Sequence, residues 1–185
     1  MDETPRQLVR ETRPSLPASG AVQERVDYEY ERCGVCNAFL VVEPLAGKRS
    51  VRITERRTKT DWASFVEEIA SYYPQAEKIT LVMDNLNTHG PGALYETFAP
   101  AAAKALWDRF EFINTPKHGS WLNMAEIELN VLIRQCLDRR IDSVSEMRSE
   151  VDAWQNNRNN ANSRIDWQFT CQNARTKLKR LYPTF

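Results

Sequence analysis

Ile79-Thr80-Leu81-Val82-Met83-Asp84-Asn85-Leu86-Asn87-Thr88-His89 is the stretch on which the fold turns. Five apolar or β-prone residues run to a carboxylate and then into Asn, Thr and His, the composition of a strand that ends in a loop. A carboxylate at a strand's end is held in a fixed direction by the backbone, which makes Asp84 a metal-ligand candidate. Outward from it, Lys117-His118-Gly119-Ser120-Trp121-Leu122-Asn123-Met124-Ala125-Glu126 brings a second acid onto the first turn of an expected helix. Met1-Asp2-Glu3-Thr4 offers a third at the chain start. Acids arriving from two strands and a helix suit divalent cations, and two such ions suit phosphodiester chemistry.

The pattern around these acids is that of one domain. At 185 residues the chain can bury a substantial core but not two comparable ones. Ala46-Gly47 reads as a turn between Asn37–Leu45 and Lys48–Thr54, and Arg25–Arg32 adds an alternating strand before them. Thr60–Tyr73 changes to helical spacing, with Trp62, Phe65, Val66, Ile69 and Tyr73 on one face, Thr60 as the expected N-cap and Pro74 as the stop. Helical patterns follow around Gly92–Phe98 and Pro100–Arg109, then a short strand at Phe110–Asn114. Beyond Ser120 the chain reads as helices over Asn123–Asp138, Ser143–Asn159 and Cys171–Leu181. Ser143-Val144-Ser145-Glu146 has the form of a capping box.

Pro5, Pro14, Pro17 and Gly20 argue against regular structure from Asp2 to Ala21, which reads as a surface excursion. If Asp2 closes a strand as Asp84 does, the body of that strand lies upstream of Met1. The order of elements is that of an α/β ribonuclease H-like fold, a mixed sheet flanked by helices, expected here without its first strand.

Charge narrows the function classes. Lys and Arg number 25 and Asp and Glu 25, so there is no global field to draw in an anionic partner and any nucleic-acid contact must be local. Three clusters offer such contacts: Arg49, Arg52, Arg56, Arg57 and Lys59; Arg134, Arg139 and Arg140; Arg175, Lys177, Lys179 and Arg180. The ordinary reading of each alone is a solvated face. Asn85, Asn87 and His89 could orient water or a phosphate, and Lys117 and His118 could hold the scissile or a flanking phosphate. Trp121 suits either base stacking or packing at the helix start. Cys33-Gly34-Val35-Cys36 has metal-ligand spacing, yet Cys136 and Cys171 stand apart and a structural zinc needs four ligands. No long apolar run or leader pattern is present, so no membrane contact is expected. Glu126 competes with Glu128 for the metal role, because residues two apart on a helix face different ways and the apolar stripe Leu122, Ala125, Leu129, Leu132 does not choose between them.

Taken together, Asp2-Glu3, the block Asp84–His89 and the block His118–Glu126 resemble the mariner-like superfamily of DDE transposases, in its bacterial insertion-sequence branch. The likeness continues through Cys136-Leu137-Asp138-Arg139-Arg140 and the tail Ala174–Pro183, so it covers essentially the whole chain. The resemblance puts the first, second and third acids of that family on Asp2, Asp84 and Glu126, as both catalytic residues and metal ligands, and so prefers Glu126 over Glu128. It implies one DDE catalytic domain over residues 1–185, truncated at the N-terminus and without the helix-turn-helix region of full members. The implied cofactor is a pair of Mg²⁺ ions, with Mn²⁺ as substitute. The implied activity is cleavage at transposon ends, then attack of the freed 3′-hydroxyl on target DNA, usually at TA. Asn85, His89, Lys117 and His118 become candidate DNA contacts. The implied partners are double-stranded DNA and a second copy as a homodimer, and the implied setting is the bacterial cytoplasm at the nucleoid. The competing expectation is an inactive transposase remnant that keeps DNA or subunit binding.

Overall fold

The computed structural model describes residues 1–20, 23, 27–116, 119–177 and 179. It is a mixed α/β arrangement of two sheets and six α-helices among those residues. The first sheet is antiparallel, in the order β1 (Asp2–Glu11), β2 (Tyr30–Glu43), β3 (Lys48–Thr54). The second is a parallel pair, β4 (Ile79–Met83) with β5 (Phe110–Asn114). The two meet where the Met1 nitrogen donates to the Val82 carbonyl at 2.7 Å, which sets the start of β1 against β4.

The expected excursion at the N-terminus is instead the ten-residue strand β1, and Asp2 is its first residue rather than its last. Pro5 is tolerated because β1 pairs with β2 along one side only, so the missing N–H can face away from the ladder. Beyond that open side, the Val9 nitrogen donates to the Ile141 carbonyl and the Arg6 guanidinium to the Leu137 carbonyl. The strand expected over Arg25–Arg32 is likewise corrected. Residues 24–26 lie outside the described residues, and Tyr30 onward belongs to β2, which runs through the Cys33–Cys36 segment without a turn. A bulge at Cys33, opposite Leu8 and Val9, places Gly34 at φ +113, a conformation in which a side chain would be strained. Cys33, Cys36 and Cys136 are free thiols, and no group of three metal-ligating side chains in coordinating arrangement forms among the described residues.

The apolar run in β2 is explained by burial on both faces. Ala38 and Leu40 enter one core with Leu8, Val51, Ile53 and the helices α4 (Met124–Gln135) and α5 (Val144–Asn160). Phe39 enters the other, with α1 (Lys59–Tyr72), Leu81, Met83, Leu94 and Phe110. Helix α1 buries Trp62, Phe65, Val66 and Ile69 as its spacing requires. Its cap is Thr58, not Thr60, since the reciprocal acid of a capping box stands three residues on and that acid is Asp61. Helices α2 (Pro91–Thr97) and α3 (Pro100–Asp108) each start on a proline and make the crossover from β4 to β5. A short 3-10 turn, Ser120–Leu122, leads into α4, and α6 (Cys171–Lys177) is the last α-helix among the described residues. Among the described residues no helix is long and apolar enough to cross a membrane.

Candidate active site

Three elements deliver the three acids. Asp2 opens β1, Asp84 follows the last residue of β4, and Glu126 lies in the first turn of α4. Asn123 joins two of them. Its Oδ1 caps α4 by accepting from the Ala125 nitrogen at 3.2 Å, while its Nδ2 donates to the Met1 carbonyl at 2.8 Å. One buried amide therefore ties the start of the helix that carries Glu126 to the start of the strand that carries Asp2.

The electrostatics agree with that convergence. The Asp2 carboxyl is pushed up to about 6, by burial first and then also by the charges of Asp84 and Glu126, against the pull of its hydrogen bond from the Glu3 nitrogen at 2.7 Å. Asp84 Oδ1 and Glu126 Oε2 are buried oxygens with no aligned hydrogen-bond donor. Crowded carboxylates with orphaned oxygens are what a hard divalent cation relieves, so the donor set fits such an ion. Among the described residues no three acid, His or Cys side chains already stand in a coordinating arrangement, so the fit is one of donor chemistry rather than of a preformed cage.

Glu128 is elsewhere. It is 1 % exposed and faces the first core, where its Oε1 lies 2.8 Å from Arg49 Nε and accepts from Arg158 Nε at 2.8 Å, with Arg158 Nη2 donating to Oε2 at 3.3 Å. This corrects the reading of Arg49 as a phosphate contact, since its side chain has no exposure at all. Of its cluster, Arg52 pairs with Glu68, Lys59 with Glu96, and Arg57 lies 3.5 Å from Glu3. Arg139 pairs with Glu150, and Arg140 donates to the Glu29 and Asp27 carbonyls. Arg134 and Arg175 are exposed, and Lys177 stands over the Trp121 ring at 5.0 Å. Arg180 lies outside the described residues.

Of the candidate DNA contacts, Asn85 is exposed beside Asp84. Lys117 and His118 lie outside the described residues. His89 is turned inward. Its ring stacks on Trp62 at 5.4 Å, its Nε2 is 3.0 Å from Glu3 Oε2, and its Nδ1 is 3.2 Å from Asp84 Oδ1 and 3.3 Å from the Asp84 carbonyl. With no side-chain exposure it cannot meet a phosphate in this arrangement. Burial works to lower its pKa, but the contacts with Asp84 and Glu3 outweigh burial and raise it to about 9. Glu3 is the residue the sequence reading missed. The one signal for it was its place beside Asp2 in the Asp2-Glu3 block of the resemblance, and only β1, where alternation sends neighbours to opposite faces, separates the two acids.

Residues 1–148, which include all three acids, match the family model of the DDE superfamily endonuclease. The chain belongs to that family. No curated protein and no solved structure matches it. Members of the family are nucleases of transposase type that act on DNA and generally use divalent metals.

Proposed function

We propose that this DDE endonuclease is the catalytic domain of a transposase of the mariner-like superfamily, from its bacterial insertion-sequence branch, with residues 1–185 forming one ribonuclease H-like unit. Its reaction is metal-dependent strand cleavage at transposon ends, followed by transfer of the freed 3′-hydroxyl to target DNA. The observation that supports this reading is that Asp84 and Glu126, both distant from Asp2 in sequence, lie near enough for their charges to raise its carboxyl, while Glu126 Oε2 is buried without a hydrogen-bond donor.

Asp84 would be the central ligand for a pair of Mg²⁺ or Mn²⁺ ions, because the end of β4 gives its direction, and Asp2 and Glu126 would complete the donor set. When bound, such ions supply nucleophile activation and charge neutralisation at the phosphoryl oxygens. Asn85, exposed beside Asp84, presents an amide to a phosphate oxygen, and Lys117 and His118, which precede Glu126 in sequence, are further candidate DNA contacts. Double-stranded DNA is the partner, held by a homodimer around paired ends at the bacterial nucleoid.

The test is nicking of supercoiled plasmid in Mg²⁺ and in Mn²⁺ by the full chain beside Asp2→Ala and Asp84→Ala. Cleavage present in the wild type and lost in both variants is the expected result. Cleavage that survives Asp84→Ala rejects the site, and a folded wild type that binds DNA without cutting it makes the chain an inactive remnant.

A further inference from the structure

Asp2 and Glu3 serve different sides of the sheet. Asp2 pairs with Leu40 and shares its face toward α4, whereas Glu3 pairs with Phe39 and shares its face toward α1. Asp84 stands where both faces can reach it, approached by Asp2 and Glu126 from one and by His89 from the other. We propose that Glu3 and His89 are positioning residues for Asp84, an inference that rests on the metal-binding role assigned to Asp84 above.

The geometry is that of a clamp. Glu3 and His89 are 1 % and 0 % exposed, so neither is available to DNA. The His89 ring is fixed by Trp62 on its face, at an interplanar angle of 21°, and by Glu3 at Nε2. With the far nitrogen held by a carboxylate, Nδ1 is presented to Asp84, whose side chain and carbonyl oxygen it meets at 3.2 and 3.3 Å. Asp84 lies on an irregular loop just past its strand, where rotamer freedom would otherwise spread the carboxylate over several positions. A buried acid–imidazole pair is a poor way to gain stability, because an apolar pair of similar volume generally does as well. Its value here is direction. Placement of a ligand to within about half an ångström requires a supporting shell of this kind. Loss of such a partner typically costs about 10–100-fold in metal affinity.

The experiment measures Mn²⁺ affinity by electron paramagnetic resonance on the full chain without DNA. Hydrogen exchange of the amides of residues 84–89 is followed in the same samples. Glu3→Leu, which leaves Nε2 without a partner, is expected to weaken Mn²⁺ about 10–100-fold and to speed exchange in that loop, whereas Glu3→Gln, which can still bond the ring, stays within about threefold of wild type. Wild-type affinity in Glu3→Leu overturns the proposal. Equal losses in Leu and Gln also overturn it, because Glu3 would then act on the cation through its charge.

Should Glu3→Leu not fold, His89→Asn and His89→Gln replace it. Asn keeps a donor near Nδ1 and is expected to bind Mn²⁺ more tightly than Gln, and equal affinities overturn the proposal. A wild type that binds no Mn²⁺ rejects the metal site itself. In that case loop exchange still decides the clamp, and exchange left unchanged by Glu3→Leu overturns it.

Discussion

Glu126 and Glu128 sit two residues apart on one helix, and the structure predicts opposite consequences for losing them. Glu128 is buried between Arg49, which has no exposure, and Arg158, whose side chain is 20 % exposed. Removing the acid strands a guanidinium that burial already works to deprotonate. Breaking a buried pair of this kind costs about 3–5 kcal/mol. Arg49 keeps contacts to Asn159 Oδ1 at 3.2 Å and to the Ser163 carbonyl, and Arg158 retains some solvent, so the low end applies, about 3 kcal/mol for Glu128→Ala. For a chain of this length that corresponds to a melting point lower by roughly 6–12 °C. Glu126 has no side-chain partner to lose at Oε2 and adds to the repulsion on Asp2. Glu126→Gln should therefore change stability by no more than about 0.5 kcal/mol while abolishing metal-dependent cleavage. Urea unfolding read by circular dichroism, beside plasmid nicking, measures both. If Glu126→Gln destabilises as much as Glu128→Ala, or Glu128→Ala loses cleavage at unchanged stability, the two roles have been assigned the wrong way round.

Three further outcomes follow from particular contacts. In the metal-free protein His89 has a folded pKa of about 9 against an ordinary value near 6.5. Its contribution to stability is whole below about pH 6.5 and is lost as pH rises through 9, so the urea midpoint of the wild type relative to that of His89→Gln should fall across that window. Gly47 has φ +67, and a Cβ there would lie 2.7 Å from the Asn162 carbonyl carbon and oxygen. Gly47→Ala should cost roughly 1–3 kcal/mol in the same assay, and a loss below about 0.5 would show that the turn can shift. Asn123→Ala removes both the α4 cap and the bond to the Met1 carbonyl. It should destabilise by about 1–2 kcal/mol and weaken Mn²⁺ binding, and an unchanged Mn²⁺ affinity would mean that Glu126 finds its place without that tether.

Much of this architecture is local in origin and could be read from the chain. The run into Asp84, the helix spacing of Trp62, Phe65, Val66 and Ile69, the strand Phe110–Asn114 and the Ser143 cap all depend on residues within a few positions of one another, and the structure places them as expected. The three acids were found as residues by pattern and ordered by resemblance, and all three fall within residues 1–148, which match the DDE family model. Other features depend on partners distant in sequence. Prolines in the first twenty residues argue against a strand, yet β1 forms because β2 offers a complete ladder on one side and Pro5 needs none on the other. Helical periodicity could not separate Glu126 from Glu128. Arg49 and Arg158, arriving from β3 and α5, give the second acid buried partners that the first lacks. His89 reads as a polar loop residue until Trp62 and Glu3 close over it. Sequence by itself determined which elements form and which residue types they carry, because those follow from short-range backbone and side-chain preferences. Only the tertiary structure decided which charges are buried, paired or left free, because desolvation and Coulomb energy depend on neighbours that the chain brings together only by folding.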